Sequence, residues 1–285
     1  MSRNRDRLGG VQQHDTSPPP QMTQNEGGGF SFVVPTEFVE LPSRGRFYPE
    51  GHPLYGEDSI EIRQMTAKEE DILTSRALLK KGVALDRVLK NIIVDKRIEP
   101  DLLLVGDRNA IIIALRVSGY GNVYETKVGC PNCGTQQKYA FDLNDASIYR
   151  GEDITKLSVA SNDDGTFTVR LPKTELHVVF KLLTGRHEKM FVAGMESDRK
   201  RKNQAERNIT RQLAAMLVSV DEDSSPDAIK YLVENMPAMD SRQLRLAYRL
   251  AAPNIDLTQH FECSECSHEQ DMEVPLSADF FWLDR

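Results

Sequence analysis

The chain's four cysteines fall into two pairs of identical spacing, Cys130 with Cys133 and Cys263 with Cys266, each with two intervening residues. In that spacing both thiolates of a pair can face one ion, and two such pairs complete a tetrahedral four-sulfur shell. Any fold that completes the shell must join segments far apart in sequence. Two disulfides, redox pairs or four unrelated core thiols would use the same residues, but the repeated spacing favours a shared ion. Four thiolates leave no open coordination position for water. The expectation is therefore one structural zinc ion with an architectural role.

Each pair is flanked by alternating apolar and polar residues. Val123 to Val128 and Gln137 to Leu143 surround the first pair, and Leu257 to Glu262 and Asp271 to Leu276 surround the second. Alternation on both arms predicts two β-hairpins with the cysteines at their tips. The second is a weak internal repeat of the first, and together they resemble a zinc ribbon. The residue after the second cysteine of such a turn needs positive φ, which Gly134 supplies without steric cost. Ser267 stands in the equivalent place. His260 and His268 are near enough in sequence to act as substitute ligands, although solvated hairpin positions suit them better.

An apolar fraction of 39% supports a buried core. Residues 1–29 carry Pro18, Pro19, Pro20, Gly27, Gly28 and Gly29 with few large apolar residues, a composition that reads as a disordered amino-terminal tail. The opening residues lack the apolar core of a secretory signal, and no stretch approaches the roughly 20 apolar residues of a membrane span. The cysteine usage fits a reducing cytosol.

The remaining organisation reads as an α+β fold. An extended opening segment and helical region covers 30–122, the first cysteine hairpin with a strand-rich region 123–183, a second helical region 184–256, and the second hairpin with an aromatic carboxy-terminus 257–285. Thr66 with Glu69 forms a capping-box signature for a helix through Leu79, ended by Gly82. Leu85, Val88, Leu89, Ile92 and Ile93 mark a second helix, and Asp107 reads as the cap of a third. Ser225 and Pro226 fit a cap and first helical position, and Asp240 with Gln243 gives a further cap. Gly185 through Val220 is expected to carry one or two helices, in a pattern leading to Ile209, Leu213, Met216 and Leu217.

A net charge of −7 argues against broad attraction to nucleic acid or an anionic membrane. The run Arg199, Lys200, Arg201 and Lys202 is a local exception, interleaved with acidic residues as in a solvated helix face. No phosphate-cradling loop, metalloprotease helix or nucleophile elbow is present, so no catalytic residues are assigned and the chain reads as non-enzymatic.

The run from Phe38 to Pro49, the segment from Ile60 to Leu73, and Gly106 to Ala110 ahead of the first cysteine hairpin resemble the baseplate hub family of T-even-like contractile-tailed bacteriophages. The resemblance covers roughly residues 37–285. It implies a hub subunit or assembly factor that partners other tail proteins, present in the host cytoplasm during assembly and in the virion tail baseplate if retained. Arg44, Arg46, Phe47 and Tyr48 combine cationic and aromatic groups of the kind enriched at interface anchors, in a turn expected to be exposed; the alternative is that Phe47 and Tyr48 pack inward and the arginines are solvated. Phe280, Phe281 and Trp282 form an apolar cluster suited either to docking on the core or to a partner. The alternative function is a zinc-ribbon nucleic-acid-binding module using Lys127, Lys138 and the Arg199 to Lys202 run.

Overall fold

In the computed structural model, residues 22–24, 30–80, 82–151, 153–200, 207–275 and 280–281 are described. They divide into two units, Met1–Thr36 and Glu37–Arg285. The first contains a short antiparallel hairpin of β1 (Met22–Gln24) and β2 (Phe30–Phe32), with Met22 opposite Phe32. The rest of the expected disordered tail lies outside the described residues.

The larger unit begins with β3 (Thr36–Glu40) paired to β4 (Ser59–Arg63). Three helices follow: α1 (Ala67–Thr74), α2 (Arg76–Lys80) and α3 (Ala84–Ile92). The capping box is present, with Thr66 and Glu69 reciprocally bonded. The helix expected to continue to Leu79 is instead divided at Ser75. Its N–H closes the first helix on the Ile72 carbonyl, and its own carbonyl starts the next by accepting from Leu78 and Leu79. Glu69 is fully buried and receives the Arg63 guanidinium at 2.7 and 2.9 Å, the Thr66 N–H and hydroxyl, and Asn91 Nδ2.

α4 (Val105–Tyr120) is the central element, buried on most of its faces, as expected of a helix rich in Ile and Leu all round. Asp107 does not cap it. The N-cap is Leu104, and Asp107 occupies the third helical position, fully buried. Its carboxylate accepts the Ser43 N–H (3.0 Å), the Ser43 hydroxyl (2.6 Å) and the Tyr48 hydroxyl (2.8 Å). The Tyr48 oxygen in turn accepts the Leu104 N–H at 3.1 Å. The turn between β3 and β4 is thereby fastened to the start of the central helix. At the other end of α4, the wholly buried Arg116 donates to the carbonyls of Gly121, Val123 and Phe280.

After α4 come the hairpin strands β5 (Val123–Gly129) and β6 (Gln136–Asp142), then β7 (Ser147–Tyr149). An antiparallel sheet of order β11-β10-β9-β8 is built from β8 (Ala160–Ser161), β9 (Phe167–Arg170), β10 (His177–Phe180) and β11 (Leu217–Val220). Between β10 and β11 lie α5 (Gly185–Lys200) and α6 (Asn208–Met216). Helix is expected from sequence through Val220, but it stops at Met216 because the next residues pair with β10, Leu217 opposite Phe180 and Val220 opposite Val178.

The chain continues through α7 (Pro226–Asn235), α8 (Ala238–Ala251), β12 (Asn254–Asp256), β13 (Thr258–Glu262) and β14 (Glu269–Glu273). Ser225 caps α7 as expected, accepting the Ala228 N–H. The N-cap of α8 is Pro237, not Asp240. The Asp240 carboxylate is buried and accepts the N–H groups of Lys173 and Thr174, holding the turn between β9 and β10. β12 pairs with β7, Asn254 opposite Tyr149, and packs on α4 so closely that a Cβ on Gly106 would stand 2.0 Å from the Pro253 carbonyl oxygen.

Two predictions follow from the buried carboxylates. Asp107→Ala strips the acceptor from Ser43 and Tyr48, and equilibrium urea unfolding should show a loss of about 3 kcal/mol. For Glu69, burial alone would raise the pKa, but the hydrogen bonds from Arg63, Thr66 and Asn91 outweigh it and hold it at about 2 instead of 4.5. A lowered carboxylate pKa gives stability that is complete above the unfolded value and lost as pH falls through the folded one. The stability gap between the native chain and Glu69→Gln should therefore be full at neutral pH and close between pH 4.5 and about 2.

Candidate metal centre

The two cysteine hairpins are built alike. In the first, the Cys130 N–H donates to the Thr135 carbonyl and the Gly134 N–H to the Cys130 carbonyl, both at 2.9 Å. In the second, Cys263 N–H donates to the His268 carbonyl and Ser267 N–H to the Cys263 carbonyl, both at 3.0 Å. Gly134 has φ 74° and Ser267 has φ 51°. The second turn thus reproduces the first with a residue that carries a Cβ, and Ser267 accepts the left-handed conformation that glycine adopts more readily.

The hairpins remain separate two-stranded sheets and meet through side chains. Gln137 donates to the Glu262 carbonyl (3.1 Å) and accepts from the Ser264 N–H (3.0 Å), and the Tyr139 hydroxyl donates to the His260 carbonyl (3.0 Å). Gln259 bonds the backbone of Asp142 in both directions. The Tyr139 ring packs 5.0 Å from that of Phe141 and 5.1 Å from the buried Phe261. Gln137, Tyr139 and Phe141 share one face of β6, and Gln259 and Phe261 share one face of β13. The alternation in sequence marked those faces. The glutamines on them gave no sign of their role, because polar residues in a strand read as solvent-facing.

All four sulfur atoms lie within 4.8 Å of one another. Cys130 Sγ is 3.7 Å from Cys266 Sγ, and Cys133 Sγ is 3.7 Å from Cys263 Sγ, pairs separated by 136 and 130 residues. A disulfide needs about 2.05 Å, which excludes the bonded reading of these contacts. A tetrahedron with metal–sulfur bonds of about 2.3 Å has sulfurs about 3.8 Å apart, so the donor set and its spacing fit a four-thiolate metal site. Cys130 and Cys263 are buried, Cys266 is partly buried and Cys133 is exposed. The Thr135 side chain and then its backbone bond Cys133 and lower that thiol to about 6, favouring the thiolate a metal requires. Asn132 Nδ2 lies 3.6 Å from Cys266 Sγ and supplies a further donor. Neither His260 nor His268 joins the cluster: His260 faces Asp271 across the hairpin at 3.8 Å, and the His268 backbone serves the cysteine turn.

The other candidate residues are dispersed. Tyr48 is buried in the Asp107 network, and Phe47 is partly buried with its ring 5.5 Å from that of Phe167. Arg44 and Arg46 are exposed, and Arg46 lies over the Phe47 ring and donates to the Arg150 carbonyl. Phe280 and Phe281 are buried against Tyr124 and Tyr120, while Trp282 lies outside the described residues. Lys127 and Lys138 are exposed and directly opposite each other. Arg199 and Lys200 end α5, and Arg201 and Lys202 lie outside the described residues.

Replacing Cys263 by serine removes a buried sulfur of the cluster. Hydrogen exchange should then rise at the amides of β5, β6, β13 and β14 well before that of α4, because an ion held there would act on the hairpins first. Uniform loosening of the whole unit would contradict a local clasp.

Residues 35–282 match the family model described as T4 bacteriophage base plate protein. No curated protein and no solved structure gives a significant match. Among the described residues, no helix is long and apolar enough to cross a membrane. With the match spanning nearly all of the larger unit, including both cysteine hairpins, the chain belongs to the T4 bacteriophage base plate protein family.

Proposed function

We propose that this protein is a non-enzymatic subunit or assembly factor of the baseplate hub, with its two cysteine hairpins clasped by one structural zinc ion. The observation that carries the reading is the convergence of four sulfurs within 4.8 Å in a chain whose family is that of the phage baseplate. A baseplate protein works through rigid, correctly oriented surfaces, and assembly is governed by how those surfaces close. A four-thiolate site supplies rigidity without an open coordination position, and zinc adds no redox chemistry of its own. The hub is the part of the baseplate suggested by the resemblance of the segments from Phe38 to Pro49 and Ile60 to Leu73. Partners are then other tail proteins, met in the host cytoplasm during assembly.

The nucleic-acid reading has weaker support. The lysine pair Lys127 and Lys138 faces outward, but the second hairpin carries Glu262, Glu265, Glu269, Asp271 and Glu273, which oppose approach of a phosphate backbone.

Elemental analysis of the purified chain should return one zinc per chain, and X-ray absorption should give a shell of sulfur ligands at about 2.3 Å. Mass-spectrometric quantification of gradient-purified particles against the infected lysate should find the chain at a fixed ratio to other baseplate proteins if it is a subunit. Abundance in lysate, bound to tail proteins but missing from particles, identifies an assembly factor. Recovery with nucleic acid and no tail protein would overturn the proposal.

A further inference from the structure

Between α8 and the strands β12, β13 and β14 lies an open cleft of about 850 Å³. Its helical wall carries Arg242, Arg245 and Arg249. These positions recur at three- and four-residue spacing, so all three guanidinium groups share one face of α8 over a length of about 10 Å. Among the described residues none of them pairs with a carboxylate, and Arg245 donates only to the Ser241 carbonyl at 3.3 Å. Like charges at this spacing destabilise a helix. Several cations of the larger unit are paired with buried or half-buried carboxylates: Arg63 with Glu69, Arg108 and Lys189 with Asp86, Arg211 with Asp198. Among the described residues the arginine row of α8 makes no such pair.

The opposite wall has the other sign. Asp256 and Glu273 line it, the Asp256 carboxylate accepting the Thr258 N–H at 2.9 Å. A polyphosphate backbone entering the cleft would meet these carboxylates on a chain of net charge −7. A polypeptide can present acidic side chains to one wall and uncharged groups to the other, and planar guanidinium groups accept carboxylates in two-pronged hydrogen bonds.

We infer that the cleft between α8 and the second cysteine hairpin is a docking site for an acidic polypeptide segment of a partner protein, held by Arg242, Arg245 and Arg249. The inference rests on the assembly reading in that it names the chemistry of a partner, but its test succeeds or fails independently of incorporation into particles. One side of the cleft is the hairpin clasped at the cysteine cluster, so the clasp also fixes the width of the site.

The test is fluorescence anisotropy on the full, metal-loaded chain with fluorescein-labelled oligoglutamate, oligolysine and oligothymidylate. Saturable, salt-sensitive binding of oligoglutamate alone is expected, weakened by about tenfold or more in the Arg242→Gln/Arg249→Gln double variant at a thermal midpoint that is not lowered. If the double variant loses its fold, the single Arg242→Gln variant, altered at an exposed side chain, takes its place. No saturable binding of oligoglutamate, or undiminished binding by the variants, would overturn the inference. Tighter binding of oligothymidylate with the same arginine dependence would assign the cleft to nucleic acid instead.

Discussion

The larger unit has to bring together sulfur atoms that stand 130 and 136 residues apart in the chain. Everything between the two cysteine turns, from β6 to β13, is a loop that leaves the cluster and must return to it. Several independent features bring it back. β12 pairs with β7 just before the second hairpin, Gly106 allows Pro253 to lie against the central helix, and the glutamines and Tyr139 align one hairpin on the other. A shared ion would fix an approach that the protein has already made, and closing a loop of this length would restrict the unfolded chain.

A second device appears at two helix starts. Asp107 and Asp240 each occupy the third position of a helix, where a carboxylate complements the positive end of the helix dipole. Each turns its oxygens outward to donors of a distant segment, Asp107 to the backbone and hydroxyls of the turn after β3 and Asp240 to the backbone of the turn after β9. Sequence reasoning correctly sensed an aspartate near a helix start in both cases. It assigned each one as the cap because the alternative, a partner some 65 residues away, leaves no local trace.

What could be read from the sequence was what repeats over short distances. The paired cysteines, the alternating arms, the capping box at Thr66 and the proline start at Pro226 all have local periods or spacings, and each lies where that signal put it. Boundaries decided by tertiary pairing were not legible. Leu217 continues a helical pattern yet joins a sheet because β10 offers it a partner. For Tyr48 the sequence left an exposed anchor and inward packing both open, and the fold shows its buried hydroxyl bridging Asp107 and Leu104. Arg116, deep in the core and satisfied by three carbonyls, would have been read as a solvent-facing charge in any helical pattern.

The separation of the cysteine pairs also sets a timetable. Cys133 is synthesised 130 residues before Cys263, a delay on the order of ten seconds at typical rates of translation. During that interval the first hairpin holds only half of the cysteine cluster, and an ion could not be enclosed until the second has emerged. Completion of the clasp therefore reports that α5 to α8 have been made and have folded well enough to deliver the final pair. With an ion in the cluster, the two hairpins would reach their clasped arrangement only after the intervening chain is in place.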